Sequence, residues 1–464
     1  MKVFHLYGNV FKRLLRSPIS FVAMLVPSFF TILLFSPLTQ AASIQVSPAD
    51  NLQAILDASE AGDEIILQKG RYQGNFTLSK SLHLRPEKNA QKEVIIDAQG
   101  TGHALQILAE NTIVEELRII NWGDDLTDQD AGIYIAKKAT GAIVQNNSLQ
   151  GGGFGIWVDA TKDAQILNNT VQGDTAIRST DRGNGIHLFN VTGAKVQGNE
   201  IWHTRDGIYI DTSNNNALLD NKIHDLRYGI HYMYSYNNLL QGNYTENTRT
   251  GYALMQSKYL TVLNNHSKND ANYGILMNYI TNSTLRNNHI SGIQNKRNPH
   301  MQKLSSTMSR RKGLEGKSLF IYNSLFNEFI DNNFQNSDIG IHLTAGSENN
   351  QLSGNNFINN KTQVKYVSTR AQDWSGNYWS DYLGWDMNAD GIGDIKYEPN
   401  DSVDRLLWKF PSAKLLLNSP AIETLRWVQR QFPVLKGSGV IDSQPLINPR
   451  AALSQAKKIA LSNP

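Results

Sequence analysis

The chain has 464 residues, 40% of them hydrophobic, which is enough apolar side chain for a large core. It carries 44 basic and 41 acidic residues and no cysteine. Near-neutral charge excludes a nucleic-acid partner held by phosphate contacts, and the missing thiols exclude disulfides and cysteine-based metal or redox chemistry.

The chain opens with a basic front of Lys2, Lys12, Arg13 and Arg16, followed by an apolar run over 19–38. Thr39 and Ala41 then supply small residues before a cut. This pattern predicts a secretory signal peptide over 1–41, removed after Ala41, with an uncleaved membrane anchor as the alternative. Four basic residues lie in this leader, so export leaves 40 basic against 41 acidic. The exported part must be held by packing alone, and any soft-metal chemistry falls to Met and His.

Residues 47–67, SPADNLQAILDASEAGDEIIL, predict a short N-terminal helix. Ser47 is placed as its N-cap, Pro48 at the first helical position and Asp50 in the first turn. Leu52, Ile55 and Leu56 give it one apolar face, suited to plugging the open end of a stack.

From residue 132 a repeat takes over. Gly-Ile-x-aliphatic begins at 132, 155, 185, 207, 229, 251 (as GYAL), 274 and 340. A second marker, asparagine, recurs at 147, 169, 199, 221, 243, 265 and 288. Before a gap of 66 from 274 to 340 in the glycine marker, both markers step by 22 or 23 residues and share one step of 30, so both carry the same eight-residue insertion. A 22-residue period with short apolar alternations predicts three short strands per coil: an all-β, right-handed parallel β-helix over 42–372. The recurrent Asn is assigned to a turn of left-handed backbone, with its amides stacked along the axis.

Side chains alternate along a strand, so the Ile and the fourth residue of each frame point inward. The third and fifth positions then place Tyr134, Trp157, His187, Tyr209 and His231, with Asp159, Phe189, Asp211, Met233 and Met255, on one outer face. Met277 lies 22 residues after Met255, but the Gly frame turns it inward. Imidazole and thioether are suitable Cu(I) ligands, which makes His187, His231, Met233 and Met255 a candidate copper set. Asp159, Asp211 and His187 alternatively line a sugar groove of a polysaccharide lyase, epimerase or hydrolase. The third reading is plain contact with a partner.

Residues 296–317 break the frame with seven basic residues. They read as an exposed insertion, either solvated, docking on an acidic surface, or admitting metal through His300, Met301 and Met308. After residue 372 a C-terminal cap over 373–464 begins. WSGNYWSDYLGWDMNADGIGD (374–394) holds Trp374, Trp379 and Trp385. Asp386, Asn388, Asp390 and Asp394, with Gly391 at the turn, match a calcium-like loop, although Tyr397 stands where the twelfth-position Glu would. The alternative is an Asx-turn loop that packs the cap. Residues 403–435 predict two amphipathic helices broken at Pro411 and Pro420, with Leu415, Leu416 and Leu417 in a row. They serve either as a foot on a membrane protein or bilayer, or as a cap on the last coil.

The coil frame, GNYWSDYLGWDMNADGIGDI (376–395) and the tail EPNDSVDRLLW…SPAIETLRWVQRQFPV together resemble the NosD family, periplasmic maturation proteins of nitrous oxide reductase. The coils are common to many β-helices; the tail from 374 to 447 is the specific part. The resemblance implies an accessory role in denitrification: assembly of the copper–sulfur cluster of nitrous oxide reductase, together with an ABC transporter permease and ATPase and a copper chaperone lipoprotein. It implies no catalytic residues, and the DPH motif of alginate epimerases is absent.

Overall fold

The structure, a computed structural model, describes residues 41–450 apart from 92, 296–314, 345, 368–371, 411, 413–418 and 433–438. The leader, most of the basic insertion and Leu415–Leu417 therefore lie outside the described residues.

The chain winds as a right-handed parallel β-helix of three sheets. Sheet A has thirteen strands, from Ser43–Val46 to Gln351–Ser353. Sheet B has thirteen, from Gly70–Gln73 to Tyr378–Trp379, and sheet C has twelve, from Phe76–Leu78 to Thr362–Tyr366. Sheet C carries the Gly-Ile frame. Its register pairs residues 22 apart: Ile208 with Ile230, Ile230 with Tyr252, and Met233 with Met255. The inward positions, such as Ile133, Ile156, Ile186, Ile208 and Ile230, are fully buried in one continuous column. Met277 belongs to it at 0% exposure, as its frame requires.

The glycine that opens each frame is needed for room. A Cβ on Gly229 would stand 2.5 Å from the Gly251 carbonyl oxygen and 2.6 Å from Thr245 Cγ2. The coil between 274 and 340 escaped the sequence pattern because Ser318 replaces this glycine, 22 residues before Gly340. Glu315, Gly316 and Lys317, assigned to the insertion, belong to that coil: Lys317 opens the strand Lys317–Tyr322 and is 8% exposed.

The recurrent asparagines form a buried ladder. Asn221 Nδ2 donates to Asn243 Oδ1 at 2.9 Å, and Asn243 Nδ2 donates to Asn265 Oδ1 at 2.9 Å. The same bonds run from Asn147 to Asn377. The left-handed residue is not the ladder Asn but the one before it: Asn146, Asn168, Gly198, Asp220, Gly242, Asn264 and Asn287 have φ between 52° and 69°. That kink turns the next side chain into the stack, where its amide replaces the main-chain partners lost at the corner.

Helix α1 spans Leu52–Ala58, with Leu52 and Leu56 buried. Its N-cap is Asn51, whose side chain accepts from Ala54 N, rather than Ser47. Ser47 and Asp50 instead close a turn of their own, Ser47 N donating to Asp50 Oδ2 at 2.7 Å. At the far end the strand Tyr378–Trp379 pairs with Asn356–Phe357, so the stack runs past residue 372. Trp379 stacks on Phe357 with centroids 4.2 Å apart. Helices α2 (Ser402–Lys409) and α3 (Pro420–Gln431) meet through Val403, Leu407 and Ile422. Pro420 opens α3 behind the Ser419 cap, as a first-turn proline can, instead of ending a helix. Among the described residues no helix is long and apolar enough to cross a membrane.

Candidate functional site

The outer face of sheet C brings some of the expected residues together and separates others. Met233 and Met255 are direct register partners on neighbouring strands, about 4.8 Å apart along the stack. His231 lies two residues before Met233 on the same face, and Asp211 pairs with Met233 from the coil below. His187 stands two coils from His231, with the Tyr209 ring between them at 4.7 and 4.6 Å. The parallel register thus groups His231, Met233 and Met255 and leaves His187 apart. Asp159 and Asp211 are likewise two coils apart, with Phe189 between them, and Asp159 accepts a bond from Tyr134 Oη at 3.1 Å.

His231 has a partner that sequence reasoning missed. Its Nδ1 lies 3.1 Å from Asp206 Oδ2, and Asp206 receives Arg227 through two bonds of 2.7 Å. Asp206 is 1% exposed. Burial pushes its carboxyl up, but the bonds from His231 and Arg227 win and hold it below the usual carboxylate range. The carboxylate fixes the imidazole and leaves Nε2 as the free nitrogen, a buried atom without a hydrogen-bond partner. Imidazole and thioether are donors of the kind Cu(I) takes, and His231, Met233 and Met255 share one face of two adjacent strands. The signal in the sequence was present: Asp206 immediately precedes the Gly207 frame, a position the outward-face count skipped.

The other outward residues are more covered than alternation predicts. Trp157 is 6% and His187 7% exposed. Trp157 packs with Phe154 and Ala131, with Leu126 of the preceding loop against them, and the eight-residue insertion ends at Asn184, whose side-chain amide lies 3.4 Å from His187 Nδ1. Loops close over a sheet face that period alone leaves open. Burial first, then the nearby Arg205 and His231 charges, depress the His187 pKa to about 3, despite Asp206.

In the calcium-like loop, Asp386 accepts from Asp390 N and Gly391 N, Asp390 from Ile392 N, and Asp394 from Met387 N, at 2.7–3.2 Å. Ala389 and Gly391 take the left-handed backbone that this winding needs. The carboxylates thus already serve as turn acceptors. Among the described residues no three His, Asp or Glu gather as ligands of one ion.

The chain matches the family described as periplasmic copper-binding protein (NosD) over residues 167–384. It is 53% identical over 415 residues to the "Probable ABC transporter binding protein NosD" of Pseudomonas aeruginosa, covering 89% of this chain and 94% of that protein. The protein of the same name from Stutzerimonas stutzeri is 54% identical over 385 residues, 82% of this chain and 86% of that one. Among solved structures, the catalytic domain of a GH87 alpha-1,3-glucanase superposes with a TM-score of 0.55 at 12% identity, over 73% of this chain and 69% of that one. The Dettilon tailspike protein gives 0.53 at 14% identity, over 70% and 68%. At such identities the likeness is one of fold.

Proposed function

The chain belongs to the NosD family, and from that premise we propose that it is a periplasmic accessory protein that docks on an ABC transporter and handles copper for the copper–sulfur cluster of nitrous oxide reductase. The observation that carries this reading is kinship over nine-tenths of the chain with proteins named as ABC transporter binding proteins, in a family described as copper-binding. Copper is here a cargo, passed between a chaperone lipoprotein and the reductase. His231, Met233 and Met255 are the residues that would hold it, with Asp206 orienting the imidazole.

Anaerobic titration of Cu(I) into the exported chain tests this. Met233→Ala and Met255→Ala are each expected to weaken binding at least about tenfold, since a soft ligand is removed. Asp206→Asn loosens His231 and also strips Arg227 of its partner, so its expected loss of about tenfold in Cu(I) affinity is read beside its own unfolding curve. Unchanged affinity in all three variants leaves a docking module without copper, and turnover of uronate polymers overturns the accessory role.

The docking part of the reading rests on α2 and α3, where Leu406, Leu425 and Trp427 are 43%, 45% and 55% exposed. Apolar surface of this kind on a helix pair fits a membrane-protein partner. Leu425→Ser with Trp427→Ser is expected to release the protein from its permease; continued co-purification ends the assignment. The 386–394 loop remains a calcium proposal on spacing alone. Calcium at millimolar concentration is expected to raise the melting temperature, and an unmoved transition disposes of the idea.

A further inference from the structure

The segment that leads into the 386–394 loop is built inside out. From Tyr382 to Met387 exposure alternates, with Tyr382, Gly384 and Asp386 turned inward and Leu383, Trp385 and Met387 outward. Those three are 94%, 56% and 85% exposed, and Leu383 and Met387 are the two most exposed large apolar side chains among the described residues. An extended segment that meets only water keeps its polar residues outside and its apolar ones within. Here the acid lies within and the apolar side chains stand out, which marks a contact surface.

The exposure is held in place by structure. Tyr382 packs against the end of the core, and its hydroxyl donates to the Ile395 carbonyl. A Cβ on Gly384 would stand 2.0 Å from that hydroxyl and one on Gly393 2.1 Å, so both sides of the loop close on the tyrosine. The Trp385 carbonyl accepts from Asp394 N at 2.9 Å, and Met387 N donates to Asp394 Oδ2 at 2.7 Å. Asp390 N and Gly391 N go to Asp386, Ile392 N to Asp390, and Gly393 N to the Pro445 carbonyl at 2.8 Å. The amides of the turn are thus paired before any partner arrives. That is the condition for entering a medium poor in water, where an unpaired amide is costly. Leu383 and Met387 offer no hydrogen-bonding group, and Trp is the residue type that settles where headgroups meet acyl chains. Asp386, Asp390 and Asp394 put negative charge beneath the tip, which disfavours an anionic surface.

We propose that Leu383, Trp385 and Met387 enter the interfacial layer of a lipid bilayer of low surface charge, so that this end of the stack rests on the membrane itself. The inference takes one thing from the docking reading, that the protein works beside a membrane. It gives the loop a role apart from α2 and α3, which that reading assigns to the permease.

The exported chain is floated with vesicles of phosphatidylcholine and phosphatidylethanolamine, in calcium and in chelator. These lipids carry no net charge, which keeps the basic segment 296–317 from binding them by attraction alone. The wild type is expected to float in a lipid-dependent, saturable way, with its tryptophan emission shifted to the blue. Leu383→Ser and Met387→Ser are each expected to weaken partitioning about tenfold, and the double variant to lose flotation. Both positions are exposed, so the melting temperature stays that of the wild type. Trp385→Phe keeps flotation and loses most of the blue shift. No flotation of the wild type in either buffer, or flotation undiminished in the double variant, overturns the proposal. Flotation lost in Leu425→Ser with Trp427→Ser but kept in the loop variants places the lipid contact on α3 and overturns it as well. Loss of co-purification with the permease in the double variant, with a wild type that does not float, gives the loop to a protein partner instead. The vesicles hold no transporter, so the docking reading stands or falls separately.

Discussion

Replacing Asp442 with alanine is expected to cost about 4 kcal/mol and to unlatch the C-terminal end of the stack. Every asparagine of the ladder gives its amide to the oxygen of the next, so the last one, Asn377, needs an acceptor from elsewhere. Asp442 supplies it from 65 residues further on, at 0% exposure. Its Oδ2 accepts from Asn377 N at 2.9 Å and Trp379 Nε1 at 2.9 Å, and its Oδ1 accepts from Gly376 N at 3.1 Å and Gln444 N at 3.0 Å. Alanine leaves Asn377 N and Trp379 Nε1 buried and unpaired, each costing about 1–3 kcal/mol, while Gly376 N and Gln444 N lie nearer water. The cost is local, since a solenoid is stabilised coil by coil. Hydrogen exchange over 351–379 and proteolysis after 380 should therefore accelerate while 147–265 stays protected. Asp442→Asn keeps one acceptor oxygen and should lose less than half as much. Equal protection of the last coils in Asp442→Ala would show that the cap is held by its apolar contacts.

How far the sequence reveals this structure depends on which interactions repeat. The 22-residue frame is legible because each coil meets the same sterics: a glycine facing a carbonyl, an inward aliphatic, an amide in the ladder. Where one coil solves the problem differently the pattern goes blind, as at Ser318, which takes the glycine position and bonds Ser337 Oγ at 2.7 Å. The left-handed turn was placed one residue late because Asn is both the commonest left-handed residue and the stacking one. Adjacent asparagines such as Asn146–Asn147 do one task each. The cap assigned to Ser47 failed for a similar reason, since Ser, Asp and Asn all cap, and only packing selects Asn51. At the site, period placed Met233 beside Met255 but could not place Asp206 under His231, nor the loops over Trp157 and His187. Those contacts join different coils through side chains that do not recur.

The burial of those imidazoles should make the protein acid-labile well above the carboxylate range. Burial lowers His187 to about 3 and, with the Lys317 and Lys365 charges, lowers His342 to about 3. A histidine whose folded pKa lies below its unfolded value near 6.5 takes its proton more readily in the unfolded chain. Its stability is complete above pH 6.5 and is lost as pH falls toward the folded value, by about 1.4 kcal/mol per unit. Between pH 6.5 and 4.5, His187 should remove about 3 kcal/mol and the more exposed His342 about 2 kcal/mol. Asp270 opposes them. Burial raises its carboxyl to about 6 against the hydroxyls of Ser267, Thr248 and Thr245, so the folded state gains from protonating it as pH falls below 6. That returns about 2 kcal/mol by pH 4.5 and leaves a net loss of about 3 kcal/mol. Asp206 does not enter this window, because its lowered carboxyl loses stability only below its ordinary value near 4. Urea unfolding at pH 6.5, 5.5 and 4.5 reads the slope. His187→Gln should flatten it by more than half, and Asp270→Asn should steepen it. A profile that is flat in the wild type and unchanged in both variants would mean that the imidazoles reach water, and that the loops around Asn184 do not close over the face of sheet C.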